Sequence, residues 1–95
     1  MITHVVLFRL KDRSAESVAR AKKVLEGLSG KVPVLRHLET GTDVIRSARS
    51  YDIALIAKFD TIEDLEAYQN HPFHVEVAGY MAGVRESAIA VDYES

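Results

Sequence analysis

Residues Tyr51–Val75 read YDIALIAKFDTIEDLEAYQNHPFHV, and the order of patterns in them decides the fold. Tyr51–Phe59 is short and apolar on both alternating faces, with Ile53, Leu55, Ala57 and Phe59 against Ala54 and Ile56. That is the pattern of a strand covered on two sides. Thr61, followed three residues later by Asp64, resembles a capping box and opens a helix over Ile62–Gln69 that buries Ile62, Leu65 and Tyr68. Asn70 breaks this helix, and Pro72 suits the first position of another, Pro72–Val84. Tyr68, His71 and His74 fall within seven residues, so a chemical site, if the chain has one, starts here.

Upstream, Ile2–Leu10 (ITHVVLFRL) reads as a strand with two apolar faces. Ile2, His4, Val6, Phe8 and Leu10 share one face, which we assign to the interior of a barrel; Thr3, Val5, Leu7 and Arg9 share the other. Ser14 is a good N-cap for a helix over Ala15–Leu28, whose apolar stripe runs through Val18, Ala21, Leu25 and Leu28. Gly30 and Pro33 stop it. Val34–Asp43 alternates weakly as a second strand in which Gly41 suggests a bulge or a close approach point. The polar, basic Ile45–Ser50 reads as a loop, and Glu86–Tyr93 closes the chain as a strand with Ile89 and Val91 opposite Ala88 and Ala90.

The resulting order, βαββαβ, predicts a ferredoxin-like α+β fold: a four-stranded antiparallel sheet with both helical regions on one face. Residues 1–95 are expected to form a single domain. Because the helices cover one face only and the first, third and last strands are apolar on both, a second copy is expected to cover the other, giving a homodimer joined through its sheet faces.

Composition narrows the function. The chain has 47% hydrophobic and 27% charged residues and a formal charge of −2, with no long basic block, which argues against nucleic-acid binding. It has no cysteine, which excludes disulfides, thiolate nucleophiles and cysteine-based metal centres. No apolar run is long enough for a membrane span, and Met1-Ile2-Thr3-His4 does not open a secretory leader. A cytoplasmic protein without a membrane partner is the expectation.

The chain resembles the stress-responsive α/β-barrel domain family of the dimeric α+β barrel superfamily. The resemblance spans nearly the whole sequence: His4-Val5-Val6-Leu7-Phe8-Arg9-Leu10-Lys11, the Tyr51-Asp52 strand ending Phe59-Asp60, Tyr68 with His71-Pro72-Phe73-His74, and Val91-Asp92-Tyr93. It implies the ferredoxin-like fold and a homodimer. One plant branch of the family includes a polyketide cyclase that closes a ring by aldol chemistry without a cofactor. By position, the resemblance makes His74 the base, Tyr68 its catalytic partner and His4 a further pocket histidine. The cyclase's third-strand histidine is replaced here by Ile53.

His74 admits two readings. At a helix N-terminus the ring is held neutral, as a general base requires, with Tyr68 binding an enolate oxygen. Alternatively, His71 caps the helix and His74 bonds nearby backbone. His4, on an apolar strand face, is either a structural hydrogen-bond partner or a pocket wall. His71 and His74 have a metal-like spacing, but Pro72 fixes them at a helix start without an adjoining carboxylate, and no metal site is expected. His37 is expected in solvent and Tyr80 and Met81 in packing. Arg46 and Arg49 are expected in a solvated loop, unless they neutralise an acidic ligand.

No glycine loop for phosphate, nucleophile elbow or carboxylate pair is present, so catalysis would be cofactor-free acid–base work on a small apolar molecule. The expected function is binding of a small apolar or phenolic ligand in a pocket built from His4, Tyr68, His71, His74 and Ile53. The alternatives are a cofactor-independent enzyme, cyclase-like or oxygenase-like, with His74 as base and Tyr68 as acid, and a purely structural assembly module.

Overall fold

A computed structural model describes residues 1–95. The elements are β1 (Ile2–Leu10), α1 (Ala15–Glu26), β2 (His37–Thr42), β3 (Ile53–Phe59), α2 (Ile62–Asn70), α3 (Pro72–Val84) and β4 (Arg85–Glu94). The four strands form one antiparallel sheet in the order β2-β3-β1-β4. This is the ferredoxin-like βαββαβ arrangement that the order of patterns predicts. No helix is long and apolar enough to cross a membrane.

The helix starts follow capping chemistry. The Ser14 hydroxyl accepts from the Ser17 N–H at the head of α1, and the Thr61 hydroxyl accepts from the Asp64 N–H at the head of α2. The ends differ from the sequence expectation. α1 stops at Glu26 with Gly27 as its C-cap, two residues before Leu28, and Gly30 takes its left-handed φ of 75° in the turns beyond. β2 begins only at His37, and Ile62 is 58% exposed, because the buried face of α2 is set by Leu65 and Tyr68. Gly41 makes no bulge: it pairs Ala54 in an unbroken β2–β3 register, and the irregularity falls between Arg9 and Leu10 of β1.

The core lies between the sheet and the helices. Phe8, Leu10, Leu55, Ala57 and Phe59 from the strands meet Val18, Leu25, Tyr68, Val77 and Met81 from the helices. Burying a side chain of this size stabilises the fold by about 1.5–3 kcal/mol. α1 packs over β2 and β3, and α2 over β3. Beyond Ala88, which packs against the core, the helix side of β4 is left open, so that Ala90 and Asp92, paired to Val6 and His4, stay exposed.

The opposite sheet face has no cover. Val5 lies between Ile56 and Val91, and Leu7 between Ala54 and Ile89, in continuous register. Val91 is 63% exposed, Ile89 50% and Tyr93 48%. A contiguous apolar patch of this kind marks a contact surface.

The basic loop after β2 is anchored through Arg46, while Arg49 stays in solvent as expected of both. Asp52 is fully buried; its Oδ2 accepts from the Leu10 N–H at 2.8 Å, and its Oδ1 accepts from Arg13 Nε at 2.9 Å and Arg46 Nη1 at 3.0 Å. Burial alone would raise the Asp52 pKa, but the Leu10 amide and the two guanidiniums outweigh it and hold the carboxyl below 3.8. Arg46 adopts a left-handed φ of 60°, which places its N–H on Asp43 Oδ2 at 2.6 Å and its guanidinium on Asp52.

Candidate functional site

Tyr68 comes from the buried face of α2, one turn after Leu65. Its ring packs at 4.8 Å, centroid to centroid, on Phe59 at the end of β3 and is 1% exposed. Burial disfavours the phenolate and pushes the Tyr68 pKa up to about 12. The hydroxyl therefore stays protonated at neutral pH and can donate a hydrogen bond.

The break between α2 and α3 positions the histidines. His71 ends α2, with its N–H on the Tyr68 carbonyl at 3.1 Å, and begins α3, with its Nδ1 accepting from the Phe73 N–H at 3.1 Å. Pro72 has no N–H to lose and starts α3 at no cost. His74 then stands on the first turn of α3, its ring 4.4 Å from Tyr68. Its Nδ1 is buried with no hydrogen-bond partner. Burial lowers the His74 pKa; the Gln69 carbonyl opposes this shift, and His4 adds to it.

His4 reaches the same place from β1. The interior of a barrel was expected to hold it, but it lies on the helix-covered side of the sheet, 6.3 Å and edge-on from Tyr68. Its Nδ1 contacts Asp92 Oδ1 on β4, directly across the register. An Nδ1–H donated to that carboxylate orients the ring and leaves Nε2 as the nitrogen available to a ligand.

These groups border a partly open cavity of about 340 Å³. Its walls are mainly apolar, with Val6, Phe8, Leu25, Leu55, Val77 and Met81 among them, and its polar groups are His4, Tyr68, Gln69, His74 and Arg85. Two residues assigned to the pocket from the sequence do not line it. The His71 ring faces the backbone it caps, and Ile53 is packed out, 2% exposed and paired to Phe8 at the start of β3. Leu55, two positions further along the same strand face, takes the wall position instead. No three of the acidic and histidine side chains come close enough to share a metal ion.

A larger hollow, about 490 Å³, lies between α1 and the loop after β2. Its charged groups are already engaged: Lys22 pairs Glu26 at 3.3 Å, and Asp43 and Arg46 hold each other and Asp52. The smaller cavity has the converging free groups.

Besides Gln69 at the end of α2 and the apolar wall residues, two residues at the site were not found from the sequence. Asp92 sits on the Ala88–Ala90 face of β4, and only the β1–β4 register shows that it opposes His4. Arg85 lies at the α3–β4 junction, between the expected helix and strand, where periodicity assigns no side.

Fold and geometry together define a small α+β sheet protein with a histidine–tyrosine cavity under its helices. The chain belongs to the stress-responsive A/B barrel domain family, whose model matches residues 2–95. It is 31% identical to the stress-response A/B barrel domain-containing protein DABB1 of Arabidopsis thaliana over 98 residues, covering 98% of this chain and 46% of that protein. The chain thus spans about half the length of the curated relative it matches. Among solved structures, a dimeric protein with a ferredoxin-like fold from Bacteroides fragilis is 33% identical, with a TM-score of 0.84 covering 99% of this chain and 95% of that one. A dimeric ferredoxin-like protein from Thermobifida fusca is 29% identical, with a TM-score of 0.86 and coverage of 99% and 90%.

Proposed function

We propose that this protein is a homodimer, closed through the uncovered sheet face, that binds a small apolar or phenolic molecule in the cavity bordered by His4, Tyr68 and His74. The carrying observation is the His74 Nδ1, buried beside Tyr68 at the wall of an apolar cavity with no partner. Such an atom costs about 1–3 kcal/mol, and native structures rarely keep one without a use. A ligand hydroxyl both donates and accepts, so it satisfies that nitrogen in either tautomer.

Calorimetric titration with 4-propylphenol and propylbenzene tests this reading. The phenol is expected to bind about tenfold more tightly, and His74→Leu to abolish the difference. No binding of either compound at millimolar concentration would sink the reading and leave the structural assembly module. The dimer is supported by the two dimeric relatives above and by the exposed Val91, Ile89 and Tyr93.

A second reading, cofactor-independent acid–base catalysis, rests on the protonation states. Tyr68 is held as a phenol with its pKa near 12, and His74 is biased toward the neutral ring 4.4 Å away. The pair suits removal of a proton next to a carbonyl, with His74 as base and Tyr68 donating to the developing oxyanion. Exchange of the α-protons of 4-(4-hydroxyphenyl)butan-2-one in deuterated buffer, followed by NMR, measures this step. Acceleration lost in His74→Ala would support catalysis; binding of the ketone without acceleration would confine the protein to binding.

A further inference from the structure

The cavity has two polar ends that differ in charge. At one end Asp92 meets His4; at the other Arg85, C-cap of α3, stands exposed on the wall. In the β1–β4 register Asp92 opposes His4 and Arg85 opposes Leu10, six positions along β1, or about 20 Å of backbone.

Arg85 has no partner of its own. Arg9, Arg13, Arg20, Arg36 and Arg46 each lie on a carboxylate, and none of these ion pairs involves Arg85. The acid next to it, Glu86, is held by Arg9 at 3.1 Å. The carbonyl end of α3, which could have claimed the guanidinium, already has Lys11 on the Gly83 carbonyl at 3.4 Å. A guanidinium kept free at the edge of an apolar cavity is matched by a planar anion, which it can bind through two parallel hydrogen bonds. The Asp92 carboxylate repels an anion from the opposite end and so fixes the direction of entry.

We propose that the ligand is an apolar or phenolic carboxylic acid, seated with its carboxylate on Arg85 and its far end at Tyr68 and His74. This rests on the binding reading above and adds the ligand's charge and orientation. Arg85 then acts as the specificity-determining residue, selecting acids over neutral molecules of the same shape.

The test is calorimetric titration of 4-(4-hydroxyphenyl)butanoate and its primary amide into the wild-type protein and into Arg85→Gln and Arg85→Lys. The acid is expected to bind about tenfold more tightly than the amide, with the preference shrinking as salt is raised. Arg85→Gln should weaken the acid to the level of the amide and leave the amide within about twofold, while Arg85→Lys keeps part of the preference. Equal binding of acid and amide by the wild type, or equal weakening of both by Arg85→Gln, overturns this assignment and leaves the binding reading standing. Failure of both compounds to bind overturns the two together. If Arg85→Gln proves unfolded, the wild-type preference and its salt dependence still decide.

Discussion

At the scale of a single residue, His74 carries opposing demands. Its buried Nδ1 lacks a partner, which stability disfavours, and its neutral ring borders the cavity, which binding can use. Replacing it with an apolar side chain of similar size removes the unsatisfied nitrogen, so His74→Leu should stabilise the free protein by about 1 kcal/mol while losing the phenol preference. The pH dependence gives a second measure. With its folded pKa below the ordinary 6.5, the unfolded chain takes up a proton at this site before the folded chain does. The contribution is therefore fully present above 6.5 and is lost as pH falls through the folded value. Urea unfolding between about pH 8 and about pH 5 should show a shallower loss of stability in His74→Leu than in the wild type. An unchanged slope would mean the ring titrates normally and would remove the physical basis for a neutral base. Tyr68 acts at the alkaline end, where its contribution is present below 10 and is lost as pH rises toward 12.

At the scale of elements, Asp52 joins the end of β1, the start of α1 and the loop after β2 through the Leu10 amide, Arg13 and Arg46. Asp52→Asn keeps the volume but removes the charge that both guanidiniums share. It should lower stability by about 2 kcal/mol without changing the denaturant dependence, and should speed amide exchange in residues 43–50. Exchange unaltered in that loop would show that other contacts order it. The buried Asp52 also illustrates what the sequence could and could not convey. The two-faced apolar patterns of β1, β3 and β4, the weak alternation of β2, the Ser14 and Thr61 caps and the Pro72 start are local signals, and they placed all four strands and three helices. Pairing is not local: that Asp52 captures Arg13 and Arg46, that Asp92 opposes His4 and that Arg85 borders the cavity depend on register and on which side the helices lie. The same limit explains Ile53, whose strand face was legible but whose distance along β3 from the cavity was not.

At the scale of the whole molecule, the two faces of the sheet present different surfaces. The helix-covered face holds the cavity, open where Ala90 and Asp92 of β4 stay exposed; the other face presents Val5, Leu7, Ile56, Ile89 and Val91 to a proposed second copy. Val91 gives a clean test of that assembly. It is 63% exposed in the single chain, so a charge there costs a monomer almost nothing, and any loss reports on association. In a twofold dimer each copy would bury the new carboxylate without a partner, a penalty of roughly 3 kcal/mol per copy. Val91→Glu should therefore sediment as a folded monomer at concentrations where the wild type sediments as a dimer. The wild-type melting temperature should rise with protein concentration while that of the variant stays constant. A Val91→Glu protein that remains dimeric would place the interface elsewhere and leave the apolar sheet face to another occupant.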